Sequence, residues 1–190
     1  MLAVVAVALV GLSLATAHTA SAQFGCFGDT QDFSGAWPAG GNPSGGWEMY
    51  DDYGGPYWHR SDQYPTPAYS IGAPFSGLFA YLDNGYYYCD YFDSSLVSPS
   101  FSTVGMREGA VRFAYQLWVY SGYERYAVDY RVGNGPWTNV ENLNNTGSSV
   151  AQWHTTVLPA AARGQSSVQV RFRYYDLTYG CDWFGGLDNV

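Results

Sequence analysis

The 190-residue chain carries 16 acidic against 8 basic residues, a formal net charge of -8, and only 13% of its residues are charged. Nucleic acids and anionic membrane surfaces are bound by basic patches, so this balance argues against both as partners. With 18 Tyr, 7 Trp, 23 Gly and no lysine, the composition favours strands joined by tight turns, and its carboxylates suit a hard cation.

Met1 to Leu14 is an almost unbroken apolar run, followed by Ala20-Ser21-Ala22 before Gln23. An apolar core of that length ahead of a small-x-small site reads as a secretory signal peptide over residues 1–22, and it is too short to span a membrane. No Lys or Arg precedes the run, which points to a start upstream or a clipped beginning. Cleavage near Ala22 leaves a secreted or cell-surface protein with no membrane insertion. Export permits a disulfide among Cys26, Cys89 and Cys181 with one thiol left over. Cys89-Asp90 and Cys181-Asp182 lie in similar Tyr-rich loops, so the expected pair is Cys89 with Cys181.

Residues 23–46 are Gly-rich and without periodicity, an entry segment with one short strand expected around Gln31–Phe33. From Trp47 onward, short strands alternate with turn signals. Val111, Phe113, Tyr115, Leu117 and Val119 form one apolar face by period-two alternation, and Tyr126, Val128, Tyr130 and Val132 repeat the pattern. Gly133-Asn134-Gly135-Pro136 then signals a hairpin returning through Trp137 to Leu143. In Ser167 to Tyr175, Val168, Val170, Phe172 and Tyr174 face one way and Gln169, Arg171 and Arg173 the other, as in a half-buried antiparallel strand. Residues 47–190 therefore complete a single all-β domain, an antiparallel β-sandwich or jelly roll. The chain stops at Leu187-Asp188-Asn189-Val190, inside an expected strand, which suggests further domains or a sorting tail beyond it.

The order of motifs resembles the MAM-like jelly-roll modules of secreted bacterial proteins, the group that includes the cleaved-adhesin and choice-of-anchor J domains. The matching residues run over roughly Asp32 to Val190. Asp32-Phe33-Ser34-Gly35 with Trp37-Pro38 looks like the opening segment, and Tyr57-Trp58-His59-Arg60 like the strand after it. Phe79-Ala80-Tyr81-Leu82-Asp83 is similar to a strand ending in a calcium-binding Asp. The most distinctive motif is Asp93-Ser94-Ser95-Leu96-Val97-Ser98-Pro99; Val168 to Tyr174, Trp183 and Leu187 to Val190 look like the closing strands. The resemblance implies a structural Ca²⁺ held by Asp32, Asp83, Asp93 and Asp188, with Asn84 or Asp90 in reserve. Physically, Asp188 sits in an apolar strand, where an unpaired carboxylate is costly and needs a metal, an arginine or backbone amides. Asp93 could equally serve as a turn or capping residue. Cys89, Cys181 and the run Tyr86-Tyr87-Tyr88 depart from the family pattern.

Signatures of catalysis are missing: His59 and His154 belong to no zinc motif, there is no nucleophile elbow, and no glutamate sits in a glycosidase signature. Both histidines read as packed or surface strand residues. Tyr86, Tyr87 and Tyr88 form a candidate ligand loop, because flat aromatic side chains stack on sugars or anchor protein partners; most other aromatics fill a core. The leading expectation is a non-catalytic extracellular adhesion or binding module within a larger secreted or surface-anchored protein. Its partner is an extracellular protein or glycan. Two alternatives stand beside it: a carbohydrate-binding accessory module of a secreted hydrolase, and a self-associating subunit of an extracellular fibre or tube.

Overall fold

A computed structural model describes residues 30–38, 41–52, 58–63, 71–83, 91–118, 124–143, 150–176 and 184–190. The expected signal segment, all three cysteines, Asn84, Asp90 and the Tyr86–Tyr88 loop lie outside the described residues.

Ten strands follow one another among the described residues: β1 (Glu48–Asp51), β2 (His59–Arg60), β3 (Ala80–Asp83), β4 (Phe92–Val97), β5 (Ala110–Trp118), β6 (Arg125–Val132), β7 (Thr138–Asn142), β8 (Gln152–Val157), β9 (Val168–Asp176) and β10 (Phe184–Asp188). One 3-10 turn, Ala160–Ala162, interrupts them. The strands form two five-stranded sheets, ordered β1-β4-β9-β6-β7 and β2-β3-β10-β5-β8, and every pairing is antiparallel. This is the β-sandwich the alternation predicts.

The core lies between the sheets. Val168, Val170, Phe172 and Tyr174 of β9, Tyr126, Val128 and Tyr130 of β6, and Phe113, Tyr115 and Leu117 of β5 are all buried there. Aromatic rings interlock across the layers: Phe113 meets Phe172 edge-on at 4.9 Å between centroids, and Phe92 meets Tyr174 at 4.8 Å. Each such ring contributes roughly 1.5–3 kcal/mol on burial, with a smaller increment from the edge-to-face geometry.

The β6–β7 hairpin forms where the sequence placed it. The Gly135 amide donates to Val132 O at 3.0 Å, and Gly133 takes the positive φ of 53°. That dihedral belongs to the first central residue and not to Asn134, the pattern of a II′ turn.

The entry segment departs from expectation. Gln31 exchanges two backbone hydrogen bonds with Val190, at 2.9 and 3.0 Å, but no strand runs over 31–33. Phe33 has a φ of 54°, which turns the chain away from the sheet while its ring is buried against Trp37 and Trp47.

Two glycines of β10 fit the strand between layers. A Cβ on Gly185 would meet the Tyr174 ring at 3.1 Å in the core, and one on Gly186 would meet Phe75 at 3.3 Å on the other face. Residues 71–79 cross that outer face of the second sheet, where Ile71, Phe75 and Phe79 pack with Ala114 and Ala151.

Candidate functional site

Three constellations carry the polar chemistry of the described residues. The first lies where the entry segment meets the end of β10. Asp188 is fully buried, and its carboxylate accepts the Ser76 amide at 3.0 Å, the Asn189 amide at 2.8 Å and the Asn189 side-chain amide at 2.8 Å. It thereby straps residues 71–79 to the second sheet. Burial pushes its pKa up to about 6; the amides of Ser76 and Asn189 oppose that rise, and the nearby charge of Asp32 adds to it. Asp32 accepts the Ser34 hydroxyl at 2.7 Å and the Ser34 amide at 3.0 Å, which hold its own pKa below the usual carboxylate value. Among the described residues neither carboxylate is bonded to an arginine or histidine. Two like charges that influence one another repel, and a cation shared between Asp32 and Asp188 would offset that repulsion.

The other two expected ligands stand elsewhere. Asp83 pairs in register with Phe184, four residues before Asp188 on β10. At about 3.3 Å per residue it sits roughly 13 Å along the strand. Its carboxylate accepts the Tyr81 hydroxyl at 2.9 Å. Asp93 is on β4 in the opposite sheet, where Arg173 grips it through Nε and Nη2. The four aspartates are therefore not one cluster, and no group of three or more His, Cys, Asp or Glu suited to a metal occurs among the described residues. Sequence order could not reveal this, because which strand ends come together depends on how the strands pair.

The second constellation is the outward face of the first sheet. Arg171 binds Asp129 through Nε at 2.8 Å and Nη2 at 2.6 Å, and Asn139 donates to the other oxygen of Asp129 at 2.9 Å. The register shift in the β6–β7 ladder falls between Val128 and Asp129. In both ion pairs the acid is buried and the guanidinium lies above it: side-chain exposure is 3% for Asp129 and 6% for Asp93, against 17% and 25% for Arg171 and Arg173. Asp93 raises the pKa of Arg173, the hydrogen bond being the largest cause. Arg131 differs, since its Nε and Nη2 both bond the amide oxygen of Gln169, at 2.9 and 2.6 Å. Aromatic rings sit among these cations. Arg131 and Arg171 lie 4.5 and 4.8 Å from the Trp137 ring centre, and Arg173 lies 4.1 Å from that of Tyr175. At the β1 rim, Tyr50 is 51% exposed and gives its hydroxyl to Glu48, which raises the Tyr50 pKa. The alternation Gln169, Arg171, Arg173 marked this face in sequence; the partnering acids on β4 and β6 were invisible there.

The third constellation joins the sheets at one side. Glu141 of β7 accepts from His154 Nε2 at 3.0 Å and from Thr156 Oγ1 at 2.9 Å, both on β8. The His154 ring also packs against Phe113 and Tyr115. His59 is buried edge-on to Tyr81. Both histidines are packed strand residues.

The two antiparallel five-stranded sheets define a β-sandwich of the jelly-roll class. Among solved structures, the chain is similar to two cleaved adhesin domains of Lys-gingipain from Porphyromonas gingivalis. The K1 domain matches at 18% identity and a TM-score of 0.56, and the K3 domain at 21% and 0.59, each covering 84% of this chain and 94% of that domain. A carbohydrate-binding module, TmCBM61, solved with β-1,4-galactotriose, superposes more loosely at 13% identity and a TM-score of 0.48, over 76% of this chain and 86% of that one. No family model matches the sequence, and no curated protein does. The cleaved-adhesin fold expected from the motif order is the fold observed. No helix among the described residues is long and apolar enough to cross a membrane.

Proposed function

We propose that this chain is a non-catalytic extracellular binding module that works in adhesion, braced by a calcium ion. The observation that carries the reading is the superposition of 84% of the chain on the cleaved adhesin domains of Lys-gingipain. The signal-like N-terminus supports export, and the structural use of His154 and Glu141 as a cross-sheet tie supports a non-catalytic role. The calcium reading rests on Asp32 and Asp188 alone. Those two carboxylates would hold the ion where the entry segment, residues 71–79 and the end of β10 meet. A bound ion would supply positive charge to the buried Asp188 and the exposed Asp32 beside it and lock three chain segments together. A second reading, a glycan-binding accessory module, is favoured by the aromatic and polar outward face of the first sheet with its exposed Tyr50.

Thermal unfolding of the chain with millimolar calcium, and then with excess chelator, tests the calcium site. An ion that binds only the folded state stabilises it by roughly 3–4 kcal/mol at a hundred- to thousandfold excess over Kd, a melting shift on the order of ten degrees. No shift would overturn the site. Beads coated with the chain test adhesion: they should hold to protein- or glycan-coated surfaces under flow, and beads that never hold would overturn the adhesive reading.

A further inference from the structure

Building on the binding-module reading, we propose that the outward face of the first sheet binds an acidic glycan, with Arg131 as the residue that meets its carboxylates. The chain as a whole is acidic, yet four of its eight basic residues, Arg125, Arg131, Arg171 and Arg173, occupy this one face on the neighbouring strands β6 and β9. Among the described residues three acids accompany them on this face: Glu48 stands at the β1 rim, where it takes the Tyr50 hydroxyl, and the other two lie under the guanidiniums. Asp93 and Asp129 have short side chains and lie buried beneath the guanidiniums of Arg173 and Arg171, so an approaching ligand meets cations first.

Arg131 carries this furthest. Both of its bonded nitrogens go to the neutral oxygen of Gln169, and no carboxylate among the described residues is bonded to it. No ion pair among the described residues offsets its charge, and Trp137 and Gln169 hold it in place. A guanidinium held flat and bonded on one side offers its remaining N–H groups as a fork that matches a carboxylate. Preordering by the ring and the amide reduces the entropy lost on binding.

The same geometry argues against a neutral sugar as the main ligand. Neutral rings are gripped chiefly by stacking on bare aromatic faces. Here the Trp137 ring has two guanidiniums within 5 Å of its centre and the Tyr175 ring has one. What lies over the rings is cationic, and a uronic-acid polymer complements it: sugar edges to meet Asn139 and Tyr50, and a carboxylate for Arg131. The molecule's overall negative charge repels such a polymer at long range, so recognition depends on the charge–charge contacts made at the face, and it is these that salt weakens.

Calorimetric titration of the whole chain with a galacturonic acid hexamer, and with its methyl ester as a neutral twin, tests this. The acid should bind at least about tenfold more tightly than the ester, and more weakly at 200 mM than at 50 mM salt. Arg131→Ala should lose about tenfold or more while keeping the wild-type melting temperature within a few degrees. Arg112→Ala is the matched control, because Arg112 also lies over a tryptophan, 4.2 Å from the Trp153 ring centre, but on the second sheet; it should bind as wild type. Equal binding of acid and ester, an equal loss in Arg112→Ala, or no binding of the hexamer would each overturn the proposal. So would binding to polyglutamate but not to the hexamer, which would assign the face to an acidic protein. In any of these cases the bead and calcium experiments still decide the binding-module reading independently.

Discussion

Asp93 lies beneath Arg173, buried on the first sheet and held by both Nε and Nη2 of the guanidinium. A carboxylate so occupied is a structural partner of an arginine. Asp93→Ala should therefore cost about 1–3 kcal/mol, because it takes from the half-buried guanidinium the carboxylate bonded to it. The calcium-induced melting shift should persist in that variant. Loss of the shift in Asp93→Ala, with the shift intact in Asp188→Asn, would reverse the assignment of ligands.

The buried Asp188 predicts a pH dependence with a definite sign. Its pKa of about 6 lies above the ordinary 3.8 of an aspartate, so the native state holds the proton more tightly than the unfolded chain does. Stability in chelator should be greatest below about pH 4 as far as this group is concerned, and should fall as pH rises through about 6, by roughly 3 kcal/mol in all. Calcium favours the ionised form, so the stabilisation it gives should grow over the same range. Denaturant melts of wild type and Asp188→Asn at several pH values check this, and an unchanged slope in the variant would refute it.

The two glycines of β10 should differ in their tolerance of a methyl group. Gly185→Ala drives a Cβ to 3.1 Å from Tyr174, whose ring is packed against Phe92 and Tyr126, and should cost about 1–3 kcal/mol. Gly186→Ala meets Phe75 at 3.3 Å, in a covering segment and not in the sheet, so the ring can shift and the cost should stay below about 1 kcal/mol. Urea unfolding midpoints for the two variants make the comparison.

Glu141 ties β7 of one sheet to β8 of the other through His154 and Thr156. Glu141→Ala should destabilise by about 1–2 kcal/mol, since it removes two hydrogen bonds at once. A double-mutant cycle with Thr156→Val should give a coupling of at least about 0.5 kcal/mol. Additive losses would show that the contact closes the sheet edges without adding stability.

Much of the fold was legible in the residues because a strand repeats with period two. The alternations in β5, β6 and β9 fixed which side chains face the core, and Gly133 to Pro136 fixed a hairpin. The same regularity hid the sites. Strand period says which face Asp83, Asp93 and Asp188 occupy, but not which end of which sheet. It could not place Asp32 beside Asp188, because the Gln31–Val190 pairing joins the two ends of the described chain.

By itself, then, the sequence determined the all-β class, the inward aromatic faces and the need of Asp188 for a partner, since each follows from local chemistry: alternation, turn propensity and the cost of a buried charge. Only the tertiary structure decided that Arg173 takes Asp93, that Arg171 takes Asp129, and that Arg131 presents its charge over Trp137 unpaired with any acid among the described residues. Those outcomes depend on antiparallel register between strands far apart in the chain, and one residue of slip would send every one of these side chains to the opposite face.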